Sequence, residues 1–292
     1  MDDIRQRLAR GDVILGDGAW GTLLMERGAT PGEPPELFNL HTPDVIEAIA
    51  ALYLDAGAEI VTTNTFGGSP LKLESFALAD RTEDINAQAV AAVRRAVGDR
   101  AYVSASMGPT GRLLRPFGDT EPARMAAAFE RQAAALAGAG VDLFCVETMT
   151  DLNEATLAVA AIRAVAPGVP ILATMTFEKT RRGFFTIMGV SIPAAARGLQ
   201  AAGADIVGSN CGFGIDTMID IAREFKQHAG VPIAIQANAG LPITRNGATV
   251  YPETPDDAAA KAPELLAAGV QLVGGCCGTT PAHIRALRAL IR

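Results

Sequence analysis

Ala56-Gly57-Ala58-Glu59-Ile60-Val61 is a phrase that returns three times, as Ala139-Gly140-Val141-Asp142-Leu143-Phe144, Ala202-Gly203-Ala204-Asp205-Ile206-Val207 and Ala268-Gly269-Val270-Gln271-Leu272-Val273. Each copy follows an alanine-rich stretch and opens a short apolar run. The glycine reads as the left-handed residue that ends a helix, and the run after it as a buried parallel strand. Between these copies lies a second phrase, Gly168-Val169-Pro170-Ile171-Leu172-Ala173 and Gly230-Val231-Pro232-Ile233-Ala234-Ile235. With Arg100 to Ala105 and Val13 to Asp17, the count reaches eight strands alternating with helices. Eight such units in 292 residues predict a TIM (β/α)8 barrel, and no linker or low-complexity stretch divides residues 1–292 into more than one domain. Helix starts agree with this register: Asp151 with Glu154 reads as a capping-box-like pair, and Thr42-Pro43 and Thr280-Pro281 each place a cap before a first-turn proline.

Composition narrows the class of function. The chain is 49% hydrophobic and 20% charged, which describes a globular protein with a large core. A formal charge of −7, with no basic run, disfavours nucleic acid or an acidic membrane as partner. The start, Met1-Asp2-Asp3-Ile4-Arg5-Gln6-Arg7, lacks the apolar stretch of a signal peptide, and no segment approaches a membrane span. The expected location is cytoplasmic. Four cysteines are too few for a disulfide scaffold, so metal binding or catalysis is the better expectation for them.

Barrel enzymes work at the carboxyl ends of their strands. Those ends here are Asp17-Gly18, Asn64, Ser106-Met107-Gly108, Glu147-Thr148, Thr176, Asn210-Cys211, Asn238 and Cys276-Cys277. Strands six and eight are two apart around a barrel, so Cys211 and the pair Cys276-Cys277 can meet although about 65 residues separate them. Three thiols on one ion leave a fourth position open, and an open position marks a catalytic zinc rather than a structural one. Cys145, mid-strand, is expected to be an inert buried thiol. Other readings remain for the cysteines: packing, a redox pair, or, for Gly274 to Thr279, a phosphate cradle. Glu147 and Asp17 could be mere caps. His41, His228 and His283 fall on predicted loops or helices away from this face, and Lys72, Lys179, Lys226 and Lys261 fall outside the predicted strands, which argues against a Schiff-base aldolase.

Together, Asp17-Gly18-Ala19-Trp20-Gly21-Thr22, Thr63-Asn64-Thr65-Phe66, Glu147-Thr148, Asn210-Cys211 and Gly274-Gly275-Cys276-Cys277-Gly278-Thr279-Thr280-Pro281 resemble the homocysteine S-methyltransferases over essentially the whole chain. Ala237-Asn238-Ala239-Gly240-Leu241-Pro242 and Val250-Tyr251-Pro252 are most similar to the homocysteine-binding module of the cobalamin-dependent methionine synthases. The resemblance implies Zn2+ on Cys211, Cys276 and Cys277, with Asn238 able to supply an oxygen ligand when substrate is absent. It also implies that Asp17 and Glu147 hold the substrate ammonium, and that the N–H groups of Gly18 and Ala19 receive its carboxylate.

The chemistry suits those residue types. A free alkyl thiol is mostly protonated at neutral pH, whereas a thiol coordinated to zinc is ionised. Methyl transfer then depends on in-line positioning, with no general base required. The sequence stops at Arg292, just after the eighth helix, where the folate and cobalamin modules follow in the full-length synthases. The expected donor is therefore methylcobalamin on a separate methyl-corrinoid protein, docked at the carboxyl face. The alternative is a small donor such as S-methylmethionine, S-adenosylmethionine or a betaine. A zinc-holding subunit without activity is a third reading.

Overall fold

A computed structural model describes residues 2–30, 32–245 and 248–291. Eight parallel strands form the central sheet: β1 (Ile14–Leu15), β2 (Ile60–Thr62), β3 (Tyr102–Met107), β4 (Leu143–Met149), β5 (Ile171–Met175), β6 (Ile206–Asn210), β7 (Ile233–Ala237) and β8 (Val270–Gly275). They pair in the order β1-β8-β7-β6-β5-β4-β3-β2, and a parallel bridge from Gly16 to Ile60 joins the two ends of that order. The helices α1 (Pro43–Asp55), α2 (Thr82–Val97), α3 (Pro122–Gly138), α4 (Leu152–Val165), α5 (Ile192–Ala202), α6 (Ile215–His228), α7 (Pro255–Ala267) and α8 (Pro281–Arg288) alternate with the strands. This is the (β/α)8 barrel that the repeated phrases predict.

Strand alternation sorts the apolar residues into two cores. Leu15, Val61, Val103, Phe144 and Val207 face the helices. Ile14, Ile60, Tyr102, Leu143, Cys145, Leu172, Ile206, Ala234 and Leu272 face inward and fill the amino-terminal half of the barrel. A short helix, Ile4–Ala9, closes that end by burying Ile4 and Leu8 against the same cluster. Gln271 Nε2 donates to the Leu8 carbonyl and Tyr102 Oη to that of Asp2, which fixes this plug to the barrel. The charged N-terminal residues thus surround an apolar pair at i and i+4, the spacing of one helix face.

Three local details differ from the sequence reading. Glu154 does not close a capping box with Asp151, because its carboxylate accepts from Thr110 N and Oγ1, both at 2.7 Å, while Asp151 caps through Asn153 N. His283, expected away from the carboxyl face, stands in the first turn of α8. There its Nδ1 pairs with Thr280 and its Nε2 with the Glu253 carbonyl, so it caps a helix. Two antiparallel hairpins also decorate the strand-to-helix segments, Glu178–Thr180 with Gly183–Phe185 and Ile243–Arg245 with Ala248–Val250. Lys179 lies on the first of them, outside the barrel strands.

Candidate active site

The three cysteines arrive together by the route the strand count suggests. Cys211 follows β6, Cys276 and Cys277 follow β8, and the end of β7 lies between them. Cys211 N donates to Gln236 O and Cys276 N to Ala237 O, while Ala239 N reaches Cys277 O. These main-chain bonds lace the three strand ends into one surface. Cys211 adopts a left-handed conformation with φ of 60°, unusual for a residue with a side chain, and such strain concentrates at functional sites. Gly278 also has positive φ, and a Cβ there would lie 2.1 Å from the Tyr251 ring, so only glycine lets that tyrosine close over Cys277.

All three sulfurs lie within 4.8 Å of one another, and Cys211 Sγ stands 3.9 Å from Cys277 Sγ. Thiolates at about 2.3 Å on a tetrahedral ion stand about 3.8 Å apart, which the Cys211–Cys277 spacing matches. Asn238 is 5% exposed, and its Oδ1, although buried, has no hydrogen-bond partner among the described residues. An unpaired amide oxygen at the end of β7, between the strand ends that carry the cysteines, is the kind of group that would complete the coordination of such an ion. Hydrogen bonds from Cys276 and Cys277 pull the Cys211 thiol down, and the bonds of Cys276 with Cys211 and Cys277 push its own thiol up. Burial and the neighbouring Cys277 sulfur raise the Tyr251 hydroxyl to about 12, keeping it a donor. Cys145 lies apart, buried in the inner apolar cluster, and burial raises its thiol.

Across the same cavity, of about 750 Å³, stand Asp17 and Glu147. Asp17 accepts from Thr62 N at 2.7 Å, Trp20 Nε1 at 2.8 Å and Thr62 Oγ1 at 2.8 Å. Burial nevertheless raises its pKa to about 6. Glu147 is raised to about 7, by burial first and then by the charges of Asp17 and Cys211, against the bond it accepts from Ser106 Oγ. Asp17, buried, and Glu147, half-buried, form no ion pair among the described residues and face one space, and an ammonium placed there would favour ionisation of both. Asn210 ties this wall to the sulfurs: its Oδ1 accepts from Thr148 N and Thr174 Oγ1, and its Nδ2 reaches Thr148 Oγ1 and, at 3.8 Å, Cys276 Sγ.

One expectation meets a different arrangement. Ala19 N–H is already donated to Thr279, to its carbonyl and its Oγ1, both at 3.2 Å. Its role in receiving a carboxylate would require that link to open. Gly18 lines the cavity beside it.

The description "Homocysteine S-methyltransferase" belongs to the family model that matches residues 14–291. The chain belongs to that family. The homocysteine S-methyltransferase chain is 36% identical over 308 residues to the methionine synthase of Mycobacterium tuberculosis (strain ATCC 25618 / H37Rv), a match spanning 100% of this chain and 25% of that protein. It is 34% identical over 306 residues to the Mycobacterium leprae (strain TN) methionine synthase, spanning 99% of this chain and 25% of that one. The chain thus spans about a quarter of the length of these relatives. Among solved structures, the metallated form of the homocysteine methyltransferase MmuM from Escherichia coli superposes with a TM-score of 0.82 at 22% identity, covering 99% of this chain and 100% of that one. Its apo form gives 0.75 at the same identity, covering 99% of each chain. At that identity the likeness is one of fold.

Sequence reasoning about this methyltransferase assigned no role to Thr62, Trp20, Ser106, Asn210 or Gln236, all of which form the cavity wall or its supports. A signal was available for Gln236. Counting back by two from Asn238 along a strand keeps the same inward face, and that step lands on it.

Proposed function

We propose that this cavity binds homocysteine and methylates its sulfur with zinc held by Cys211, Cys276 and Cys277, giving methionine. The observation that carries the reading is the pairing of three convergent thiols with two carboxylates that form no ion pair among the described residues, in one cavity. Such a site is complementary to a molecule with a thiol at one end and an ammonium at the other. Asp17 and Glu147 bind and orient the ammonium, and the main chain at Gly18 faces the carboxylate. Asn238 Oδ1 is the group that would complete the metal's coordination until substrate arrives. When bound, zinc supplies the Lewis acidity that keeps the substrate sulfur deprotonated at neutral pH, its proton passing to solvent. The sulfur lone pair then forms the new S–C bond as the donor's bond to the methyl carbon breaks, and that bond's electron pair leaves with the donor. A thiolate-rich site of this kind suits a reducing compartment such as the cytoplasm.

The donor we propose is methylcobalamin carried by a methyl-corrinoid protein. Support comes from the strand-to-helix segments, which expose Met25, Phe66, Leu113, Phe117, Ile187 and Leu241, the first two of them lining the cavity. Apolar side chains left exposed on the segments around a site favour docking of a large partner. Small cationic donors are favoured by a different observation. Trp20, Phe66 and Tyr251 line the cavity, and aromatic faces attract sulfonium and quaternary ammonium groups. Turnover with homocysteine and a panel of donors decides between them. Homocysteine-dependent demethylation of methylcobalamin, read from the cobalt spectrum, is expected to outpace methionine formation from S-methylmethionine or betaine. Rapid turnover of a small donor, with none from any corrinoid, reverses the choice.

A further inference from the structure

Gln236 lies on the inward face of β7 between Ala234 and Asn238, 7% exposed, on the wall of the cavity. Its Oε1 is buried and has no hydrogen-bond partner among the described residues. A polar atom so placed has given up water without replacement, which native structures rarely tolerate unless the atom has a use. The residue level with it on β8 is Gly274. A Cβ at Gly274 would lie 3.1 Å from Gln236 Cγ and 3.3 Å from the main-chain oxygen of Asp17. The inward neighbours of that glycine are Leu272 below and Cys276 above, so the missing side chain leaves a slot between them. Gln236 occupies the slot and extends toward the β1 end of the cavity, where Asp17 stands. A strand glycine that admits a neighbouring side chain is a packing feature with a purpose.

We infer that Gln236 is a third recognition group for the substrate ammonium, accepting one of its N–H bonds through Oε1. This rests on the homocysteine reading above and deepens it. An ammonium has three donors, of which Asp17 and Glu147 satisfy two. Asp17 already accepts three bonds from Thr62 and Trp20, which limits what it offers to a ligand. The remaining N–H needs an acceptor, and a neutral amide provides one without setting a third carboxylate beside the sulfurs. Gln236 thereby sets the preference for amino-acid thiols over thiols that lack the amine.

The test uses the zinc-loaded protein and Gln236→Met, which keeps the length of the side chain and removes its polar atoms. Calorimetric titration compares homocysteine with 4-mercaptobutanoate, which has the same sulfur and carboxylate but no ammonium. Homocysteine affinity should fall about ten- to a hundredfold, the range for a hydrogen bond to a charged group. Zinc stoichiometry and affinity for 4-mercaptobutanoate should not change. Gly274→Ala, which keeps Gln236 but fills its slot, should reproduce the same selective loss. Unchanged homocysteine affinity, or equal weakening of both thiols, overturns the role of Gln236. If the wild-type protein binds neither thiol, the homocysteine reading itself fails.

Discussion

The amino-terminal half of the barrel is filled by Leu143, Leu172, Ile206 and Leu272 and closed by Ile4 and Leu8, whereas the carboxyl half opens on Asp17, Glu147, Cys211, Cys276 and Cys277. The same strands build both halves. Along β4 the inward residues run Leu143, Cys145, Glu147, and along β8 they run Leu272, Gly274, Cys276. Burial at the first end removes apolar surface from water and stabilises the fold. Burial at the second raises the pKa of two carboxylates and leaves the amide oxygens of Gln236 and Asn238 without a partner among the described residues. The contrast teaches that stability and ligand recognition are separated along the barrel axis by a few residues, so substitutions at the two ends should fail in different ways.

The largest effect should come from the sulfurs. Replacing Cys211, Cys276 or Cys277 by alanine should remove zinc and methionine formation together. The loss of metal affinity should exceed the ~10–100-fold typical when a residue that only hydrogen-bonds to a ligand is removed. Metal analysis and circular dichroism of each variant check this, since the fold should persist. Retention of about one zinc per chain in all three variants would end the assignment.

At the other end, Leu143→Ala should lower stability by about 2–5 kcal/mol, as buried leucines do when truncated. Denaturant unfolding measures the loss. Homocysteine affinity per folded chain should remain that of the wild type. A variant that unfolds normally but binds homocysteine poorly would show that the two halves are coupled after all.

This division explains what could be read from the sequence. The repeated Ala-Gly phrases fix where four of the strands begin, the remaining apolar runs supply the other four, and counting along them places Asp17, Glu147, Asn210-Cys211 and Cys276 at the carboxyl end. Long-range partners are not written in that pattern. Nothing local to Ala19 announces that its N–H goes to Thr279, 260 positions away. Glu154 has the spacing of a capping box, yet Thr110 offers it two donors and wins. The hairpin Glu178–Phe185 and the plug Ile4–Ala9 are too short for a periodic signal to reveal.

A smaller effect is expected at the amino-acid end of the site. Glu147→Gln and Asp17→Asn should each weaken homocysteine binding by about 1–3 kcal/mol while zinc content stays intact. Their pKa values add a pH signature. A carboxyl raised to about 6 or 7 is neutral below that pH and then cannot pair with an ammonium. Affinity should therefore climb as pH rises through 6 to 7, and the climb near 7 should vanish in Glu147→Gln. Binding measured at constant zinc occupancy across that range separates this from titration of the substrate thiol, whose ordinary pKa is about 8.5. An unchanged profile in the variant would assign Glu147 to the scaffold alone.

The smallest effect falls on the residue at the boundary. Cys145 is one step below Glu147 on the inward face of β4, packed among Leu143, Leu172 and Tyr102 in the inner cluster. It shares its chemistry with the three upper thiols and its surroundings with the plug. Burial raises its thiol, so it is neither a nucleophile nor a ligand at neutral pH. Cys145→Ala removes one sulfur from a packed interior, and a loss of about 1 kcal/mol is expected, comparable to deleting a buried methylene with partial relaxation. Zinc content, homocysteine affinity and the pH profile should match the wild type. The comparison is sharpest here because Cys145 and Cys276 differ only in which layer of the barrel they occupy. If Cys145→Ala released zinc, position along the axis would no longer separate structural from functional sulfur.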